Sequence, residues 1–195
     1  MDMPFDTLGD VSDEALLVAF ANGDGVAARA LTLRLTPRIV SFATRMLGGD
    51  RAEAEDVTQE AMLRLWHIAP EWRQGEAKVT TWLYRVTSNL CVDRLRKAGR
   101  SDPLDQVAEP PDPAPGAVAG LQEADRAAAL DAALARLPER QRQAVVLRHL
   151  DGLGNPEIAR IMDIGVAAVE SLTARGKRAL AADLADRREE LGYGN

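Results

Sequence analysis

Within Val79–Lys97 (VTTWLYRVTSNLCVDRLRK), Arg85, Asn89 and Arg96 fall on one stripe of a helix with 3.6 residues per turn, and Trp82 lies beside them. Such side chains suit a nucleic-acid strand. Guanidinium groups take phosphates, an amide reads a base edge, and an indole ring offers a stacking surface. The same stripe is compatible with a solvated basic face on an ordinary core helix. A second line, Glu53, Asp56 and Glu60, flanked by Gln59 and Leu63, carries the opposite charge. Carboxylates in a row repel a phosphate backbone, so a partner for that face would be a basic protein surface. Its plainer reading is a solvated acidic face. Catalysis and metal binding have few candidate residues. The single cysteine, Cys91, excludes an intrachain disulfide and a cysteine cage. His67 and His149 fall in different predicted helices, and no Glu-x-x-His pair accompanies either. No catalytic residue, metal or cofactor is expected.

Both stripes need helices to carry them. Val79, Leu83, Val86 and Leu90 follow the i, i+4, i+7, i+11 spacing of a buried face. Ala54, Val57, Ala61 and Leu65 do the same for the acidic helix, which Asp50 caps, with Glu53 three residues on. Between the two lies His67–Lys78 (HIAPEWRQGEAK), a loop broken by Pro70 and Gly75 and bearing Trp72 and Arg73. Because it joins an acidic-striped helix to a basic-striped one, its tip is expected near the nucleic-acid face. Upstream, Ser12 is a good N-cap, with Asp13 and Glu14 in the first turn and a Val11–Leu16 staple. That helix runs to about Asn22. Asp24 caps a second stretch reaching Leu47, ended by Gly48-Gly49, with a kink or break expected at Pro37.

A length of 195 residues admits one domain or two small ones. With 46% hydrophobic residues, 4% aromatics and an excess of alanine and leucine, the fold class is all-α. No apolar run approaches the ~20 residues that cross a membrane, so membrane insertion is not expected. The N-terminus, MDMPFDTLGD, lacks a basic n-region, and a cytoplasmic location is the default expectation. The net charge of −6 is unevenly spread. Residues 1–24 and 101–125 each hold six acids and no Lys or Arg, whereas 78–100 hold six cations against Asp93 alone. Attraction to a polyanion is a local field effect, so the acidic total does not exclude it.

Residues 100–119 carry Pro103, Pro110, Pro111, Pro113 and Pro115 among acids, a composition that builds no core. They read as a linker between a first domain, 1–99, and a second, 120–195. The second domain reads as four helices. Leu121–Arg136 has Leu130, Leu134 and Leu137 as anchors, and Glu139–Leu150 follows Pro138. Asn155 then caps a short helix with Pro156 at its first position. That helix ends at Met162, Asp163-Ile164-Gly165 makes a turn, and a last helix starts at Val166. Short helix, three-residue turn and longer helix is the helix-turn-helix pattern, whose second helix enters the major groove. On that helix Val169, Thr173, Gly176 and Leu180 keep the inward spacing, leaving Arg175, Lys177 and Arg178 available to DNA.

Three passages, in this order, resemble the extracytoplasmic-function (ECF) group of bacterial sigma factors, in the sigma-70 family. They are Ala54–Trp66 (AEDVTQEAMLRLW), Thr81–Lys97 (TWLYRVTSNLCVDRLRK) and Leu137–Leu180, beginning LPERQRQAVVLRHLDGL. The resemblance spans about residues 12–185. It implies a region-2-like first domain and a region-4-like second domain. Asp56, Gln59, Glu60 and Leu63 would bind the β′ clamp helices of core RNA polymerase, and the β flap would be a further contact. Trp72 and Arg73 in the loop, with Trp82, Arg85, Asn89, Arg96 and Lys97 on the helix, would open and read the minus-ten element, with a base flipped into the loop. Ala167, Ala168, Glu170, Ser171, Arg175, Lys177 and Arg178 would read the minus-thirty-five element. An anti-sigma factor is the implied regulator.

The chain departs from the family pattern on its last helix, where Glu170 and Leu172 stand at positions that commonly hold Lys or Arg. A carboxylate beside phosphate is unfavourable, although Glu can accept from cytosine N4 in the major groove. Gly176, mid-helix, costs roughly 0.5–1 kcal/mol relative to alanine. These departures lend some weight to an alternative, a sigma-like adaptor that sequesters an anti-sigma protein without initiating transcription. The intact Arg85/Asn89/Arg96 stripe weighs against it.

Overall fold

The computed structural model describes residues 10–73, 75, 77–98 and 118–185, excluding the side chains of 118–125. Among these residues every regular element is helical. Helix α1 (Asp13–Ala21) starts at Ser12, whose hydroxyl accepts from the Ala15 amide. Helix α2 (Gly25–Met46) starts at Asp24, which accepts from the amides of Val26 and Ala27. Helix α3 (Arg51–Ile68) starts at Asp50, which accepts from Glu53 N–H at 3.0 Å. In each case a side-chain oxygen satisfies a donor that the first helical turn leaves open.

Pro37 does not end α2. The helix continues from Gly25 through Pro37 to Met46. Pro37 sits on the exposed side of α2, and so does Leu33, the residue whose carbonyl loses its donor. Water can satisfy that carbonyl, while Leu31, Leu35, Ile39 and Phe42 keep the inner face of the helix packed.

After α3 the chain makes a 3-10 turn, Ala69–Glu71, and then the loop that leads to α4 (Val79–Ala98). The Val79 amide donates to Glu14 Oε1 at 3.0 Å, so a carboxylate from α1 caps α4 and complements its N-terminal dipole. Val79, Leu83, Leu90 and Cys91 are buried, as is Tyr84, whose ring meets Phe42 of α2 edge to face. Burial pushes the Cys91 thiol up to about 12.

The second half comprises α5 (Val118–Ala135), α6 (Glu139–Val145), α7 (Asn155–Met162) and α8 (Val166–Ala185). Helix α6 runs on into a π-type turn, Val146–Leu150. The residue preceding α7 is Gly154 and caps it without a side chain. Asn155 is therefore the first helical residue rather than the cap, and its amide reaches Glu170 Oε1 on α8 at 3.4 Å. Asp163 ends α7 in the left-handed region, φ 54°, a conformation short polar side chains tolerate. Gly176 is a packing residue. A Cβ there would lie 2.6 Å from Val145 Cγ2 and 3.3 Å from the Gln141 carbonyl oxygen, so α8 crosses α6 at a distance only glycine permits.

Helices α2 and α4 pack directly against α5, α6 and α7. One continuous apolar cluster runs from Leu16 in α1 to Leu180 in α8. The expected linker lies outside the described residues up to 117.

Candidate nucleic-acid interface

Helix α4 places Arg85, Asn89, Arg96 and Lys97 at the surface, while the opposite side of the same helix is buried. The expected stripe is therefore an exposed surface on a well-packed helix. Trp82 and Trp72 sit at its N-terminal end, packed edge to face with ring centroids 6.3 Å apart. Both rings are half-buried and rest against the core, so neither lies flat and open as a ready stacking platform. Arg73 is exposed in the loop beside them.

Arg94, another of the cations in this segment, points away from that surface. Its Nη1 donates to Glu53 Oε2 at 2.6 Å, and its Nη2 lies 3.7 Å from Glu60 Oε2. The hydrogen bond with Glu53 holds the guanidinium charge firmly. Arg64, one turn along α3, donates to Glu60 Oε1, also at 2.6 Å. The acidic row is thus partly neutralised from within the molecule, and its local charge is lower than the sequence pattern suggests. Asp56, Gln59 and Leu63 form the exposed part of that face, Leu63 being 60% exposed. Glu60, Leu63, Arg64 and Trp82 line one open groove of about 540 Å³. The structure therefore brings the acidic helix and the aromatic end of α4 to a shared edge.

On α8, Ala167, Ala168, Glu170, Ser171, Arg175, Lys177 and Arg178 are all exposed, but they do not share one face. At 100° per residue, Ala167, Ser171, Arg175 and Arg178 align, while Glu170 and Lys177 fall to one side. Lys177 borders a small apolar groove with Leu130, Leu134 and His149. Leu172 packs against the core, so that position is not a surface site stripped of a cation.

Several polar groups that sequence patterns did not single out lie where the two halves meet. Gln143 Nε2 donates to Ser88 Oγ at 2.8 Å, both being buried. Thr81 Oγ1 donates to Glu157 Oε1 at 3.1 Å, and Lys78 Nζ lies 4.0 Å from the same carboxylate. Arg85 Nη2 is 3.8 Å from Asp163 Oδ2. Asp151 faces Tyr84 on α4 and the Arg38 and Arg45 guanidinium groups on α2. Burial, which outweighs those cations, pushes its carboxyl up to about 6. The Tyr84 hydroxyl is raised by burial and by the same carboxylate. A sequence signal that could have pointed to this seam is Arg142 and Gln143, polar residues just before the apolar Ala144–Leu147 run.

Comparison with known proteins places these elements in a family. Residues 31–101 match the model of Sigma-70 region 2, and residues 127–180 match that of Sigma-70, region 4. The chain is 34% identical over 172 residues to the ECF RNA polymerase sigma factor SigM of Mycobacterium tuberculosis H37Rv, covering 87% of this chain and 83% of that protein. Among solved structures, CnrH in complex with the cytosolic domain of CnrY superposes with a TM-score of 0.65 at 25% identity, covering 89% of this chain and 97% of that one. The sigma factor RpoE in complex with the anti-sigma factor NepR, from Bartonella quintana, shares the fold, with a TM-score of 0.64 at 22% identity, covering 80% of this chain and 95% of the other.

Proposed function

The chain belongs to the ECF RNA polymerase sigma factors, and from that premise we propose that it directs core RNA polymerase to specific promoters and promotes DNA opening there. The observation that carries this reading is the exposed row Arg85, Asn89 and Arg96 on α4, with Lys97 exposed to one side of it and Trp72, Arg73 and Trp82 at its start. Cations spaced along one helix face suit a phosphate backbone, and an amide among them suits a base edge. In this proposal residues 1–99 bind polymerase and the minus-ten element, 100–119 link, and 120–195 read the minus-thirty-five element through α8. Asp56, Gln59 and Leu63, with Glu60 behind them, face the polymerase. The exposed leucine supports a protein partner there, because a lone solvated acidic face has no use for it. Two related folds occur in complexes whose partners are the cytosolic domain of CnrY and the anti-sigma factor NepR, which supports an anti-sigma partner here as well.

The test is in-vitro transcription with core polymerase over a promoter library. Specific initiation is expected with the wild-type chain and is expected to be lost with Arg85→Ala plus Asn89→Ala. Core binding without initiation at any promoter would instead favour the adaptor.

A further inference from the structure

Helix α8 distributes its charges unevenly along its length. From Val166 to Ala174 the one charged side chain is Glu170, whereas Arg175, Lys177 and Arg178 follow in the later turns. At about 1.5 Å per residue, Arg178 lies roughly 18 Å along the axis from the start of the helix. Ala167, Ala168 and Ser171, which surround Glu170 on the surface, are small, so a duplex can approach this end of α8 closely. In a helix-turn-helix the N-terminal residues of the second helix contact base edges, and cations elsewhere take phosphates. Glu170 is the fifth residue of α8 and therefore falls in the base-contacting part.

A neighbouring side chain gives the carboxylate a direction. Asn155, the first residue of α7, donates through Nδ2 to Glu170 Oε1 at 3.4 Å. The contact draws Oε1 towards α7 and leaves Oε2 free to accept elsewhere. A backbone phosphate beside Glu170 would meet like charge, so docking that buries this end of α8 favours a base edge there.

The chemistry of a carboxylate then narrows the base. Ionised, it only accepts hydrogen bonds. In the major groove cytosine and adenine present donors, N4–H2 and N6–H2, whereas guanine O6 and thymine O4 are acceptors. Adenine also carries N7, an acceptor beside its donor, which would repel the same carboxylate. Cytosine has no such neighbour.

We infer that Glu170 is a base-reading residue that selects cytosine at one position of the minus-thirty-five element, with Asn155 as the positioning residue that aims its carboxylate. The inference rests on the reading of α8 as the helix that enters the major groove, and adds which base chemistry that helix accepts.

The experiment uses holoenzyme reconstituted from the full chain and core polymerase. A random-sequence duplex library is bound and the recovered DNA sequenced. Fluorescence anisotropy then measures the selected duplex and its single-base variants, and circular dichroism verifies the fold of each protein variant. The parent is expected to enrich cytosine at one upstream position and to prefer it over guanine and thymine there by about tenfold. Glu170→Gln is expected to move the preference at that position alone to adenine, because an amide matches the adenine N6 and N7 pair. Asn155→Ala should lower the discrimination at the same position at least threefold, with little change at the others. Arg175→Ala plus Arg178→Ala should weaken binding to all sequences alike. No cytosine preference in the parent, or a Glu170→Gln variant whose affinity shifts equally for all four bases, would overturn the base-reading role while the arginine variant still weakens binding. Discrimination unchanged by Asn155→Ala would overturn the positioning role. Binding indifferent to the arginine variant, with no upstream preference at all, would overturn the reading of α8 itself.

Discussion

Arg142 on α6 donates through Nη1 to the carbonyl oxygen of Met46, 2.6 Å away at the last residue of α2. The same guanidinium donates through Nη2 to the Ala135 carbonyl at 2.7 Å and to the Leu137 carbonyl at 3.3 Å. One buried cation therefore closes the C-termini of two helices, α2 in the first half and α5 in the second. Helix ends leave carbonyls without donors, and a cation there also meets the favourable end of the dipole.

Removing that group should be costly. Arg142→Ala leaves three carbonyls without this donor, and a loss of roughly 2–4 kcal/mol in unfolding free energy is expected, read by urea denaturation. Arg142→Lys should recover only part of it, because one ammonium cannot reproduce the planar fork. A loss under about 1 kcal/mol for the alanine variant would mean that water replaces the guanidinium.

Gly176→Ala is expected to destabilise the chain even though alanine is the better helix former by ~1 kcal/mol. The new methyl would meet Val145 Cγ2 at 2.6 Å, and forcing an extra carbon into a packed crossing costs roughly 1–3 kcal/mol. The double variant Gly176→Ala plus Val145→Ala should recover part of the loss. Thermal denaturation of the single and double variants separates close packing from propensity.

Stability should fall as pH rises from about 4 to about 6. The Asp151 carboxyl stands at about 6 in the folded chain, against an ordinary value near ~3.9 once exposed. The folded chain therefore binds a proton more tightly there, so the contribution of this group is full below about pH 4, falls as pH climbs to about 6, and is level above that. Arg38 and Arg45 on α2 oppose the effect, and Tyr84 is the facing group on α4. Asp151→Asn should remove this component of the pH dependence and raise stability at neutral pH. Urea denaturation collected between pH 4 and 8 checks both expectations.

Core polymerase binding should depend on Asp56 and Leu63 rather than on the full acidic row. Asp56→Lys plus Leu63→Ala is expected to reduce binding to core enzyme by tenfold or more. Folding stability should change by less than about 0.5 kcal/mol per site, since both positions are exposed. Pull-down with core polymerase, beside circular dichroism, distinguishes a lost contact from a lost fold.

Local features were readable before the structure. Ser12, Asp24 and Asp50 cap as their positions suggested, because an N-cap is satisfied within three residues of itself. The inward stripes of α3, α4 and α8 follow the helix period, and period survives folding. Features set by distant partners were not readable. Glu53 and Glu60 looked like a free acidic row, but Arg94, 41 positions from Glu53, pairs with both. Pro37 suggested a kink or a break, yet the helix is not broken there, because Pro37 sits on the solvent side of a helix held by its other face. Leu172 looked like a missing cation, and only the path of α8 over its neighbours reveals it as a packing residue. The seam itself joins residues up to 96 positions apart, beyond the reach of any local pattern.

The burial of Cys91 bears on how this protein can sense its surroundings. It is the only thiol in the chain, it lies fully buried in α4, and its pKa is pushed up to about 12. Peroxides and disulfides react with exposed thiolates, and at neutral pH this sulfur is neither exposed nor ionised. While α4 stays packed, an oxidative signal has no cysteine chemistry through which to enter. A response to oxidants through this residue would require α4 to unpack first.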